Sequence, residues 1–98
     1  MVKEVVWTAP AQKQLEKVYQ YILERSYQNA EKVKEDILAS TRKLAEQPEA
    51  HPPDKYRKDN NGSFRAYELH HYRIAYKFTT DKIVIVRVRH TSMEPLYY

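Results

Sequence analysis

Five cations and a few aromatic side chains in the C-terminal half could do chemistry on a phosphate-rich partner. Arg73 and Lys77 fall on one strand-like run and Arg87 and Arg89 on the next, each two residues or a multiple apart. A strand places such residues on one face. Arg65 and Tyr67 share a face of the preceding run. With Phe64 assigned to the core, that face is expected beside Arg73. The result would be an exposed sheet face carrying Arg65, Tyr67, Arg73 and Lys77, with Arg87 and Arg89 at its far edge. Guanidinium groups grip phosphate bidentately, and Tyr and Arg planes stack on bases, so RNA is the partner this face suits. A solvent-facing sheet surface needs polar residues in any case. His90 ends the last strand next to the arginines, where an imidazole could serve as acid or base; capping of the strand end is the competing role.

Other chemistry has little support. The chain has no cysteine, which removes disulfides, thiolate zinc sites and cysteine nucleophiles. His51, His70 and His71 show no metal-ligand spacing with carboxylates. No metal or other cofactor is expected.

Charge is unevenly divided. Residues 1–54 hold 8 basic and 9 acidic side chains, whereas residues 55–98 hold 9 and 4. The excess of +5 in the second part points to a polyanion or an acidic partner there. No stretch has the length of a membrane span, and Met-Val-Lys-Glu does not open a secretory signal, so a cytoplasmic protein is expected.

The elements that must position these residues follow from periodicity. Val2 to Trp7 reads as a strand. Thr8 offers a helix cap with Pro10 in the first turn, and Ala11, Leu15, Val18, Tyr19 and Ile22 form an apolar stripe. This helix is expected to end near Arg25. Ser26 caps a second, with Ala30, Val33, Ile37, Thr41 and Leu44 inward and Pro48 as its stop. So short a link requires an antiparallel helical hairpin. Residues 48–62 read as one long loop, either mobile or functional. Phe64–Leu69, Tyr72–Thr79 and Lys82–His90 then form an antiparallel meander. On the last strand Val84, Val86 and Val88 are expected in the core, with Ile83 and Ile85 opposite. The fold class is α+β: a single domain over 1–98, ordered β-α-α-β-β-β.

Val5-Val6-Trp7-Thr8-Ala9 running into Leu15 to Ile22 resembles the start of RelE/ParE-family toxins. So do Ala30-Glu31-Lys32-Val33, His71-Tyr72-Arg73-Ile74-Ala75-Tyr76 and Val86-Arg87-Val88-Arg89-His90. The resemblance spans nearly the whole chain. It implies the toxin of a type II toxin–antitoxin system, with a cognate antitoxin and a toxin–antitoxin hetero-oligomer. RelE-like members cleave mRNA on the ribosome without metal. Matched to them, Arg73 would bind the scissile phosphate, Arg65 would assist, His90 would move a proton, and Tyr97 (or Tyr98) would orient the substrate. Tyr67, Lys77, Arg87 and Arg89 would bind RNA or a partner. This mRNA-cleaving activity is slightly favoured, since Arg73, Arg65, His90 and Tyr97 could converge at one sheet edge. ParE-like members instead inhibit DNA gyrase with no chemistry of their own, and His90-Thr91-Ser92-Met93-Glu94 and the helical hairpin resemble theirs. The same basic face would also serve a non-toxic RNA- or protein-binding module.

Overall fold

A computed structural model describes residues 2–98. Four strands and two helices follow in the expected order: β1 Glu4–Trp7, α1 Ala9–Leu23, α2 Tyr27–Lys43, β2 Phe64–Leu69, β3 Tyr72–Phe78 and β4 Lys82–His90. A single 3-10 turn, Thr91–Met93, follows β4. Both helix starts are built by the capping residues the sequence offers. The Thr8 hydroxyl accepts from the Ala11 amide at 3.2 Å and the Ser26 hydroxyl from Asn29 at 3.1 Å. α2 ends at Lys43, with Leu44 as its cap, ahead of Pro48.

The sheet runs β1-β4-β3-β2, so β3 and β4 are internal. β1 lies at the edge of the meander and pairs with β4 in parallel, which makes the sheet mixed. Its last pairing is Trp7 with Ile85. Beyond that point β4 has no strand on this side, and the Gln14 side chain of α1 fills in, accepting from the Val88 amide at 2.7 Å. The chain can therefore turn into α1 without orphaning β4's backbone.

The helices cover one sheet face. Ala11, Leu15, Val33, Ile37 and Leu44 meet Tyr72, Ile74, Tyr76, Ile83, Ile85 and Val88 there. The inward set on β4 differs from strict alternation. Ala75 pairs with Arg87 and Tyr76 with Ile85, leaving Val86 as an extra residue. That bulge reverses the phase of the strand. Ile83 and Ile85 are thus fully buried in the core, not opposite it, while Val84 and Val86 are only partly buried. After the bulge Val88 points inward and Arg87 and Arg89 outward, as alternation from the strand's C-terminal end requires.

Two residues form the β2–β3 turn. His70 and His71 both adopt positive φ, 52° and 68°, a conformation usually given to Asn-Gly. His70 Nε2 lies 2.6 Å from the Asp36 carboxylate, which ties the turn to α2.

Ile37 is fully buried between α2 and the sheet. Ile37→Ala should cost about 2–5 kcal/mol, a fall in melting temperature on the order of 10 °C or more in a chain of this size. A thermal melt followed by circular dichroism would measure it; a loss of a degree or two would show that this layer repacks.

Candidate functional site

Arg73 sits on the internal strand β3, on the face turned away from the helices, yet it is only 8% exposed. The face expected to be open is covered. Residues 48–62 fold back beneath it and the C-terminal tail lies alongside. Asp54 is the pivot. Its Oδ1 accepts from Arg73 Nη2 at 3.0 Å and from the Tyr56 amide at 3.0 Å, and its Oδ2 accepts from the Tyr98 hydroxyl at 2.6 Å. Burial alone would raise the Asp54 pKa. The hydrogen bonds from Tyr98, Tyr56 and Arg73, with the guanidinium charge, outweigh that and hold the carboxyl below its ordinary value. Tyr98 is driven the other way, its phenol held protonated by burial and by the Asp54 carboxylate. The Arg73 guanidinium lies 4.7 Å from the centre of the Tyr56 ring, and its Nη1 is 3.6 Å from the Glu68 carboxylate.

Arg87 and Arg89 are likewise engaged. Both reach Glu94, at 3.3 and 3.0 Å, and that carboxylate is almost wholly buried. Arg87 also donates to the Leu96 carbonyl at 2.7 Å and packs 3.9 Å from the Tyr98 ring centre. Arg89 donates to the Met93 carbonyl at 2.5 Å. Backbone bonds complete the strap: the Tyr98 amide donates to Tyr56 at 2.9 Å, and the Lys58 amide to Tyr98 at 2.7 Å. Loop, tail and sheet face form one layer, clasped by ion pairs.

Arg65 and Tyr67 lie elsewhere. Register pairs them with Tyr76 and Ile74, which puts them on the helix side of the sheet, a correction to their expected place beside Arg73. The expectation failed because it put Phe64 in the core. Phe64 packs on the opposite face, against Tyr98 at 6.5 Å and under the Arg57 guanidinium at 4.0 Å. Arg65 donates to the Gly62 and His51 carbonyls, at 2.8 and 2.9 Å. Tyr67 pairs with the Ser40 hydroxyl at 2.7 Å and stacks on His51 at 4.2 Å. Lys77 stays on the Arg73 face, 5.5 Å from the Phe64 ring.

His90 is also on the helix side, where it caps the 3-10 turn. Its Nδ1 accepts from the Ser92 amide at 3.1 Å, and its ring meets Tyr72 edge-on at 5.2 Å. Tyr97 is exposed on the Arg73 side, against Tyr56 at 5.5 Å. Arg73 and Tyr97 therefore share one face and Arg65 and His90 the other. Arg65 and His90 pair with β3 residues four apart, Tyr76 and Tyr72, a separation of about 13 Å along the strand. The four do not converge at one sheet edge.

Asp54, Glu94 and Tyr56 are the site residues that sequence reasoning missed, while Tyr98, named only as the alternative to Tyr97, is the tyrosine that reaches Asp54. A signal existed: Arg73, Arg87 and Arg89 on the two internal strands need carboxylates, and the loop and tail each supply one.

A second feature lies between α1 and the end of β4. A cavity of about 490 Å³ is lined by residues including Lys17, Val18, Tyr21, Val88, Arg89 and Met93. A neighbouring one of about 310 Å³, with Arg25, Asn29 and His71, shares Tyr21, Tyr72 and His90 with it. No Asp or Glu lines either. Among the described residues, no group of three or more His, Asp or Glu is placed to hold a metal ion, and no helix is long and apolar enough to cross a membrane.

Asp54 has a consequence for stability. Its folded pKa is depressed, so its contribution is complete above the unfolded value of about 3.9 and is lost as pH falls through the folded one. Stability should thus drop on acidification below about pH 4. Asp54→Asn strands a buried guanidinium and should cost about 3–5 kcal/mol at neutral pH, with a flatter stability curve in acid. Parallel curves for the two proteins, measured by denaturant titration, would contradict this account.

The family comparison and the structural comparisons agree. No curated protein matches. The fold is similar to that of a chain from the chromosomal ParDE toxin–antitoxin system of P. aeruginosa, with TM-score 0.70, 18% identity and coverage of 91% of this chain and 96% of that one. It is similar also to a chain of the RelBE2 toxin–antitoxin complex of Mycobacterium tuberculosis, with TM-score 0.65, 18% identity and coverage of 92% and 99%. A family model for the ParE toxin of type II toxin–antitoxin systems, parDE, matches residues 5–95. With that match spanning nearly all of the sequence, the chain belongs to the ParE toxin family of type II toxin–antitoxin systems.

Proposed function

We propose that this toxin acts by binding DNA gyrase, without chemistry of its own. The observation that carries the reading is the state of Arg73. Stabilising a scissile phosphate requires a donor aimed at the reacting group and kept free for it. Here the guanidinium is buried, paired with Asp54 and capped by Tyr56. His90, the proposed proton carrier, stands on the other face of the sheet. The match to the ParE model favours the same side. The mRNA-cleaving alternative would need the loop and tail to lift and the four residues to be brought together.

A cognate antitoxin belongs to this reading, and both similar structures come from toxin–antitoxin systems. The groove beside α1 is the surface offered to it: an apolar floor, cations at its rim and no lining carboxylate. An acidic, amphipathic segment that orders on binding fits there. The cytoplasm would be the place of action, with the pair held as a hetero-oligomer.

Two experiments check this. Added to gyrase and relaxed plasmid, the purified protein should block supercoiling, while mRNA in a translating extract stays intact. Codon-specific mRNA cleavage that disappears in Arg73→Ala and His90→Ala would sink the proposal. For the groove, Lys17→Glu with Tyr21→Ala should weaken the antitoxin complex about tenfold or more, roughly 1.4 kcal/mol, and leave growth arrest in place. Unchanged affinity in that variant would place the antitoxin elsewhere.

A further inference from the structure

The layer that covers Arg73 has an outer surface of its own. Lys77 lies over Phe64, Arg57 lies between Phe64 and Tyr98 at 4.0 and 5.1 Å, and Arg87 also lies on the Tyr98 ring, at 3.9 Å. Next to this row Lys55 lies 5.2 Å from the Tyr56 ring, and Tyr56 meets the exposed Tyr97. Cations and rings alternate across one face of the protein.

The carboxylates nearby divide into two groups. Asp54 and Glu94 are buried and spent on Arg73, Arg87 and Arg89. Glu68 and Asp59 remain exposed. Against them stand Lys55, Arg57, Lys58 and Lys77, none of which takes part in an ion pair among the described residues. Burying the two inner carboxylates with their arginines leaves a net positive surface made of the outer cations. Their ring contacts hold the longer side chains in place, so less entropy is lost when they meet an anion. Spaced cations serve a run of phosphates, and an exposed tyrosine ring is what an unpaired base stacks on.

We infer that this face, formed by the 54–58 loop, Lys77 and the C-terminal tail, binds nucleic acid through its phosphodiester backbone. The inference does not depend on gyrase as the target, because contact is read from the purified protein alone. DNA and RNA share the recognised chemistry, and the choice of strand separates them.

Fluorescence anisotropy with a short DNA duplex, its single strand and the matching RNA tests this over a range of salt. Binding should weaken linearly on a log–log plot with a slope near −0.9 per phosphate contacted, about −3 to −4 for four cations. Lys58→Gln and Lys77→Gln, singly, should each reduce that slope by about 1. The variant carrying Lys55→Gln, Arg57→Gln, Lys58→Gln and Lys77→Gln should lose binding at least tenfold. A control with Lys13→Gln, Lys32→Gln, Lys34→Gln and Lys43→Gln, on the helices, should bind like the parent. Melting curves check that each variant folds, and the two single variants carry the test if the fourfold one does not. Duplex binding equal to RNA binding, or a preference for single strands that Tyr97→Ala removes, supports the inference. It is overturned if none of the three probes binds, if the slope is unchanged in both single variants, or if the helix control loses as much as the face variant.

Discussion

The buried pairing of Asp54 with Arg73 constrains most of what surrounds it. Burying an arginine on an internal strand, beneath a covering layer, is costly unless its charge is paired. It requires a buried carboxylate in the same layer, and the meander offers only Glu68, directly across on β2, at 3.6 Å and exposed. The partner must come from a segment that returns across the sheet face. Residues 48–62 do so, with Asp54 and Phe64 joined backbone to backbone and Pro53 bridging to Arg65. Asp54 has acceptor capacity beyond Arg73, and the Tyr98 hydroxyl takes it up, which draws in the tail. Arg87 and Arg89 repeat the arrangement with Glu94. Ion pairing here decides where two irregular segments lie, a task that helix or strand propensity does not perform. Whether such pairs add net stability is a separate question, because desolvation offsets much of the attraction. Their effect on position is clear.

This explains what the sequence made legible and what it did not. Helix limits and caps could be read directly, because Thr8, Pro10, Ser26 and the apolar stripes are local signals. The strand order was also within reach, since the meander turns are short and β1 had only an edge left to occupy. The face assignments were partly accessible. Tyr72, Ile74 and Tyr76 pack inward as alternation requires, and so does Val88. Ile83 and Ile85 also pack inward, against the alternation, because that pattern is carried across Val86 only if the strand is regular. No single residue type announces a bulge.

The site was less legible for a related reason. Reading a bare outer face assumed that a two-layer fold leaves one side of its sheet to solvent. Under that assumption Phe64 had to be core, and Arg65 and Tyr67 were carried to the wrong face with it. The actual arrangement has a third, irregular layer. Phe64 and Tyr98 pack there, with Arg57, Arg73 and Arg87 lying on their rings and on Tyr56. Pairing between a loop and a tail more than thirty residues apart leaves no periodic trace. The trace it does leave is stoichiometric: arginines in excess on the strands, with carboxylates and tyrosines held in the loop and tail.

A fold shared by proteins with different activities needs something besides its strands to decide which activity it hosts. On the proposed gyrase reading, the irregular layer is what decides in this chain. Were the 48–62 loop and the tail absent, the outer face would present Arg73, Lys77, Arg87 and Arg89 together, an arrangement able to hold a bent phosphate backbone. With the layer in place the inner three arginines become structural, and the cations left outward sit on the loop and at the end of β3. Inner charges are spent on order and outer ones remain for a partner. The same separation leaves His90 on the far side of the sheet, among tyrosines and next to a groove without carboxylates. The protein therefore presents two distinct surfaces, divided by its own sheet: an apolar, cation-rimmed groove beside α1, and a ringed cationic layer over β2, β3 and β4. Two partners can occupy them at once without competing for a residue, which is the physical condition for neutralising a toxin at one surface while its contacts are made at another.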